Sequence, residues 1–89
     1  MIHESDWSVK VETNEDETCV HAHLKPELDI TDLNFLLLDE ERKLIVRVKV
    51  TSHEINFCTY VGNPIFAQLG DCVKYVDGSG VDYYHIKAN

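Results

Sequence analysis

A cysteine and two histidines alternate in Cys19-x-His21-x-His23, the segment of the 89-residue chain whose residue types could most readily do chemistry. In a β-strand, alternate side chains lie on one face at intervals of about 6.6 Å. Two imidazoles and a thiolate on one face are ligands that zinc accepts, so these three residues are candidate metal ligands. The reading we favour is that they form the solvent face of a half-buried strand, and we expect no metal or cofactor.

The three cysteines, Cys19, Cys58 and Cys72, are odd in number and far apart. No Cys-x-x-Cys pair occurs, so the spacing matches neither a zinc ribbon nor a thioredoxin-type site. We expect three reduced and mostly buried thiols. The glycine patterns of hydrolases, dinucleotide-binding proteins and P-loop proteins do not occur, and no spacing sets a cysteine beside a base. The sequence therefore predicts a protein that is not an enzyme.

The chain is acidic, because sixteen Asp and Glu against eight Lys and Arg give a net charge of −8. Residues 1–41 hold twelve acidic and two basic side chains, a net charge of −10, and residues 42–89 carry +2. Such a chain repels phosphate backbones, so direct nucleic-acid binding is disfavoured. The longest apolar run, Phe35–Leu38, is too short to span a membrane, and the N-terminus lacks the pattern of a secretory signal. We expect a cytoplasmic protein without membrane contact.

Hydrophobic residues recur with a period of two along most of the chain, which predicts strands rather than helices. Residues 65–70 are predicted as a loop or a helical turn, and residues 77–80 as a hairpin turn. The clearest strand is Leu44–Val50, which we expect to be central, with its even-numbered residues in the core. Residues 1–89 are thus predicted to form a single all-β domain, a seven-stranded antiparallel β-sandwich or small barrel. The seven strands begin near Trp7, Cys19, Leu33, Leu44, Glu54, Cys72 and Val81.

Two sets of residues are candidate contacts for a protein partner. Arg47 and Lys49 face the same way on the Leu44–Val50 strand, beside Ile45, and predict an outward row of basic and apolar side chains. Tyr60 and Tyr84 are candidates on a second side, since exposed tyrosines are frequent in protein interfaces. The alternative for both sets is a solvated surface without a partner.

Six segments of the chain, taken in order, carry a likeness to a known family. They are Asp6-Trp7, Val20–Lys25, Leu28–Phe35, Arg42–Val48, Val61–Ile65 and Val81–Lys87. In this order the chain from about Asp6 to Lys87 resembles the CS domain of co-chaperones, NudC-like proteins and PIH-type assembly adaptors. The resemblance implies the small heat-shock protein (HSP20-like) fold, an immunoglobulin-like antiparallel sandwich of seven strands. It also implies a protein-interaction module without catalysis, whose partner is heat-shock protein 90 or a TPR-type adaptor.

A co-chaperone-type interaction module is therefore the expected function, and two other classes stay open. The first is a small acidic inhibitor of viral or phage type that mimics nucleic acid, which the size and charge suggest. Mimicry requires carboxylates arrayed on one face, whereas many of the acids here lie in separate predicted turns. The second is a metal-binding β domain that uses Cys19, His21 and His23.

Overall fold

The computed structural model describes residues 1–13, 17–59 and 63–76. Within these ranges the chain forms seven strands, and its only helical element is the 3-10 turn Glu4–Asp6. The predicted hairpin at 77–80, the predicted last strand and the candidate contacts Tyr60 and Tyr84 lie outside the described residues. The strands are β1 (Trp7–Thr13), β2 (Thr18–Leu24), β3 (Asn34–Leu38), β4 (Leu44–Lys49), β5 (Glu54–Thr59), β6 (Phe66–Leu69) and β7 (Cys72–Tyr75).

The seven strands form two sheets in which all neighbours run antiparallel. The three-stranded sheet has the order β1-β2-β5, and the four-stranded sheet has the order β4-β3-β6-β7. β1–β2, β3–β4 and β6–β7 pair with their sequence neighbours, whereas the chain changes sheet after β2, β4 and β5. The all-β class and the sandwich character predicted from the alternation are confirmed.

The inner faces of both sheets contribute to one hydrophobic core. Val9 and Val20 of the three-stranded sheet and Phe35 of the four-stranded sheet are almost completely buried. The ring of Phe35 meets Trp7 and Phe57 edge to face, with centroids 6.3 and 6.2 Å apart. Full burial of one such side chain stabilises a fold by about 1.5–3 kcal/mol. These aromatic contacts connect the two sheets, because Trp7 and Phe57 belong to β1 and β5 and Phe35 to β3.

A buried lysine links β7 to β1 at one side of the sandwich. The Lys74 side chain is 6% exposed, and its Nζ donates a hydrogen bond to the Trp7 carbonyl oxygen. The same ammonium lies 4.5 Å from the centre of the Trp7 ring, a cation–π contact. The Trp7 Nε1–H donates to Cys72 Sγ at 3.3 Å. Polar groups in this part of the core are therefore paired, as burial requires.

The β6–β7 turn is fixed by a glycine that lies against the N-terminal segment. Gly70 has a φ of +58°, and a Cβ atom there would lie 2.8 Å from Ile2 Cδ1. The left-handed backbone favours glycine, and a larger residue would also have to displace the end of the Ile2 side chain. Beside it, the Ile2 amide donates to Asp71 Oδ1 at 3.1 Å, and this bond lowers the pKa of the Asp71 carboxyl.

Within the described residues β4 pairs with β3 alone and is the last strand of its sheet, so they do not bear out the prediction that Leu44–Val50 is central. Of its even-numbered residues, Val50 is 3% exposed and Val46 and Val48 are half-buried, but Leu44 is 56% exposed, so the prediction that it lies in the core is wrong. The strand register explains the exposure of Leu44. Leu38 pairs with Leu44 but Leu37 pairs with Val46, so β4 has an extra residue at position 45. Such a bulge resets the alternation and is a common feature of sheet edges.

Residues 65–70, predicted as a loop or helical turn, contain the strand β6 instead. The buried Ala67 and Leu69 alternate with the half-buried Phe66 and Gln68, so the alternation is only four residues long. β6 pairs with β3 on one side and with β7 on the other, so the sheet, more than local sequence, stabilises it.

Candidate functional site

The candidate metal ligands lie on the outer face of the three-stranded sheet. Along β2 the exposed His21 and His23 alternate with buried apolar residues, so they share one face with Cys19. Cys19 stands opposite Cys58 of β5 in the register, and the two are joined by a disulfide. The expectation of three reduced thiols is therefore wrong for this pair, and Cys72 alone of the three is a free thiol. A disulfide sulfur does not supply the thiolate that a metal ligand requires.

Both histidines contact the opposite residue of β5. His21 Nδ1 lies 2.8 Å from Asn56 Oδ1, and His23 Nδ1 lies 3.4 Å from Glu54 Oε2. Within the described ranges, one group of three potential ligands has its donor atoms within 4.8 Å of one another: Glu17, Cys19 and Cys58. The disulfide removes two members of that group. The described residues thus bring His21 and His23 to one face without assembling a metal site around them.

The outer face of the four-stranded sheet has a different character, since apolar side chains occupy positions that are usually polar in an antiparallel sheet. Leu44 is 56% exposed, Tyr75 is 44% exposed and Val73 is 38% exposed. Leu38 is almost buried yet belongs to no part of the main core, which places it on this outer side. We call these residues, with two half-buried neighbours, the apolar face: Leu36, Leu38, Leu44, Phe66, Val73 and Tyr75.

The strand register arranges this face in two rows. The first row crosses all four strands through Leu44, Leu38, Phe66 and Tyr75. The second row crosses them through Arg47, Leu36, Gln68 and Val73. An open groove with a volume of about 550 Å³ lies over β3 and β4, and its walls include Leu36, Leu38, Leu44, Arg42, Arg47 and Gln68. The face therefore combines apolar side chains with two guanidinium groups.

The β3–β4 turn sets Arg42 against the apolar face. Asp39 Oδ1 accepts the amides of Glu41 and Lys43 at 2.8 and 2.9 Å, and the Arg42 amide donates to the Asp39 carbonyl at 2.9 Å. Arg42 has a φ of +67°, a left-handed conformation in which this kind of turn prefers glycine. The Arg42 guanidinium carbon lies 4.2 Å from the centre of the Phe66 ring. The turn thus holds a cation at the border of the groove.

Arg42 and Arg47 form no ion pair within the described part of the chain. The lysines nearby are different, since Lys43 Nζ lies 3.5 Å from Glu41 Oε1 and Lys49 Nζ lies 3.8 Å from Asp32 Oδ1. Both arginines are exposed, in a chain that has sixteen acidic side chains. Among residues 1–13, 17–59 and 63–76, no acidic side chain neutralises their charge.

The predicted contact row on β4 is only partly assembled. Arg47 and Lys49 are exposed, but Ile45 is half-buried and packs against the core, because the bulge turns it away from that row. Sequence reasoning missed the apolar face, since it assigned Leu44 to the core and residues 65–70 to a loop. One signal was present: the unbroken run Leu36-Leu37-Leu38 lacks alternation, which indicates a strand that is apolar on both sides.

A scan against protein-family models, a search of curated proteins and a search of solved structures gave no match to the chain. No helix among residues 1–13, 17–59 and 63–76 has the length and apolar character needed to cross a membrane. The arrangement on the four-stranded sheet can hold apolar side chains on its leucines and aromatic rings. It can also hold an anion beside its two arginines.

Proposed function

We propose that the protein is a non-catalytic protein-interaction module that binds its partner through the apolar face. The observation that carries the proposal is the row of Leu44, Leu38, Phe66 and Tyr75, which crosses all four strands with its two ends in solvent. Leu44, Val73 and Tyr75 are the exposed members of the apolar face, whereas Leu38 is 6% exposed and Phe66 is half-buried. Exposed apolar residues grouped on one face and rimmed by polar ones are a feature of interaction sites. Tyr, Phe and Arg are also the residue types enriched in the centres of protein interfaces.

The specific form that we propose is a co-chaperone or chaperone adaptor of the CS-domain type, with the HSP20-like sandwich that the motif resemblance implies. Heat-shock protein 90 or a TPR-type adaptor is then the first partner to test. This form implies a cytoplasmic protein, and the Cys19–Cys58 disulfide counts against that location, because disulfides are rare in the reducing cytosol. Partner and compartment therefore have to be tested together.

The test is a calorimetric titration of purified heat-shock protein 90 with the parent protein and with Leu44→Ser/Tyr75→Ser. Both side chains are 44% or more exposed, so the variant is expected to fold. His23→Ser is the matched control, since it changes an exposed residue on the opposite sheet. We expect the parent and the control to bind heat-shock protein 90 and the double variant to lose this binding. No binding by the parent rejects heat-shock protein 90 as the partner, and the co-chaperone form is rejected when the same titration with a TPR-type adaptor also fails. Equal binding by all three proteins rejects the apolar face.

A photo-reactive phenylalanine analogue tests the broader proposal without a named partner. It replaces Leu44 in one variant and His23 in the other, and both are irradiated in a lysate. A cross-linked product formed from position 44 and not from position 23 is expected. Equal labelling at both positions, or none, rejects a partner on the apolar face.

A further inference from the structure

We infer that the segment docking on the apolar face is acidic and apolar: its carboxylates bind Arg42 and Arg47, and its apolar side chains occupy the groove between them. This inference rests on the proposed function and specifies the chemistry of the partner. The occupant is a segment of another protein chain in which Asp or Glu flank leucine-like or aromatic side chains.

The first support is the unsatisfied charge. Arg42 and Arg47 both border the groove, and neither forms an ion pair within the described ranges, whereas Lys43 and Lys49 each have an acidic neighbour. A guanidinium group presents paired N–H donors that match the two oxygens of a carboxylate. A partner carboxylate at each arginine would complete this face.

The second support is charge complementarity over the whole chain. The net charge is −8, and the residues that line the groove include two arginines and one acid, Asp32, which lies near Lys49. Three more acids, Asp39, Glu40 and Glu41, precede Arg42 in the turn. Of these, Asp39 accepts backbone amides and Glu41 lies near Lys43. An acidic segment is repelled by the net charge of the protein and attracted by the two arginines that line this groove. A basic segment has the opposite preference and would meet the arginines with like charge. The charge distribution thus favours a negatively charged segment and favours its binding at this face.

The third support is the backbone of Arg42. Its φ of +67° is a conformation that glycine adopts without strain but that is strained for arginine. In this conformation the Arg42 guanidinium packs against the ring of Phe66. Strained backbone positions are more frequent at functional sites than elsewhere. Here the strain places a cation over the aromatic end of the apolar face. The groove beside it is open, with a volume of about 550 Å³, so a docked segment would lie along the surface.

The experiment measures fluorescence anisotropy with three short labelled peptides in which leucine alternates with glutamate, with glutamine or with lysine. The proteins are the parent, Arg42→Gln/Arg47→Gln, Lys43→Gln and Leu44→Ser, each checked for folding by circular dichroism. Lys43→Gln is the matched control, because it removes the same kind of charge from the adjacent position, outside the groove. We expect the glutamate peptide to bind the parent about tenfold or more tightly than the glutamine peptide. That preference should disappear in the double arginine variant, persist in Lys43→Gln and weaken with added salt.

Equal binding of the glutamate and glutamine peptides to the parent, a preference for the lysine peptide, or no binding of any peptide overturns the acidic-partner inference. The proposed function fails separately, when cross-linking from position 44 captures no protein. If position 44 captures a partner while the arginine variant retains its full affinity for it, the apolar face is the interface and its arginines do not select the partner.

Discussion

Removing the Cys19–Cys58 disulfide gives the sharpest test of the fold. The bond joins residues 39 apart in sequence, and a cross-link of that span lowers the entropy of the unfolded chain by about 13 cal/mol/K, about 4 kcal/mol at 25 °C. Little packing offsets this value, because Cys58 is exposed and Cys19 is half-buried. The free energy of unfolding of a domain of this length is about 5–13 kcal/mol in total. We expect Cys19→Ser/Cys58→Ser to lose about 2–4 kcal/mol of it.

Urea unfolding monitored by tryptophan fluorescence measures this loss directly. Trp7 is the only tryptophan and is 4% exposed, so its emission reports the opening of the core. The midpoint should fall by roughly 0.7–4 M urea, since a loss of about 2–4 kcal/mol is divided by the slope of about 1–3 kcal/mol per M that small proteins show. Cys72→Ser is the control, since it removes the free thiol and keeps the disulfide. A reductant should shift the parent and this control downwards and leave the double variant unchanged.

Two results would refute the reasoning. The first is three titratable thiols in protein that has been unfolded without reductant, which means that Cys19 and Cys58 are not joined. The second is a parent whose urea midpoint does not respond to a reductant that is shown by mass spectrometry to have opened the bond. In that case the disulfide does not stabilise this domain, and the chain-entropy argument fails.

Three further outcomes are expected. Gly70→Ala should lower the free energy of unfolding by about 1–3 kcal/mol in the same urea assay, since the new Cβ would lie 2.8 Å from Ile2 Cδ1 at a φ of +58°; an unchanged midpoint contradicts the turn geometry. Arg42→Gly should leave stability within about 1 kcal/mol, because relief of the left-handed strain offsets the lost cation–π contact, while affinity for the glutamate peptide falls. Zinc added to chelator-treated protein should leave the melting temperature unmoved, and a rise that disappears in His21→Ala/His23→Ala would revive the metal reading.

The strands that could be predicted from the sequence are those whose alternation is long enough to be read. Trp7–Thr13 buries Trp7, Val9 and Val11, and Thr18–Leu24 buries every second residue over seven positions, so both strands and their inner faces follow from the pattern. β6 has four residues, too few for a period to be recognised, and it depends on pairing with β3 and β7. The position of a strand within its sheet depends on which strands pair with it. The alternating valines of Leu44–Lys49 predict a strand but not its neighbours.

The candidate site was harder to predict for two physical reasons. A bulge at Ile45 shifts the alternation of β4 by one residue, so Leu44 lies in solvent where the simple pattern puts it in the core. The disulfide depends on Cys19 and Cys58 facing each other across β2 and β5, a register that neither spacing nor count reveals. By contrast, the exposure of Arg47 and Lys49 followed from their charge.

The disulfide indicates an oxidising compartment, whereas the proposed chaperone partner implies the reducing cytosol. The two features lie on different sheets, so their effects can be measured separately. The bond lies on the outer face of the three-stranded sheet, whereas the apolar face belongs to the four-stranded sheet. Reduction should therefore lower the free energy of unfolding by about 2–4 kcal/mol without removing any side chain of the binding surface. If the reduced protein stays folded, a cytosolic chaperone can meet the same surface. If it unfolds, the surface exists only under oxidising conditions, and the acidic partner has to be sought there.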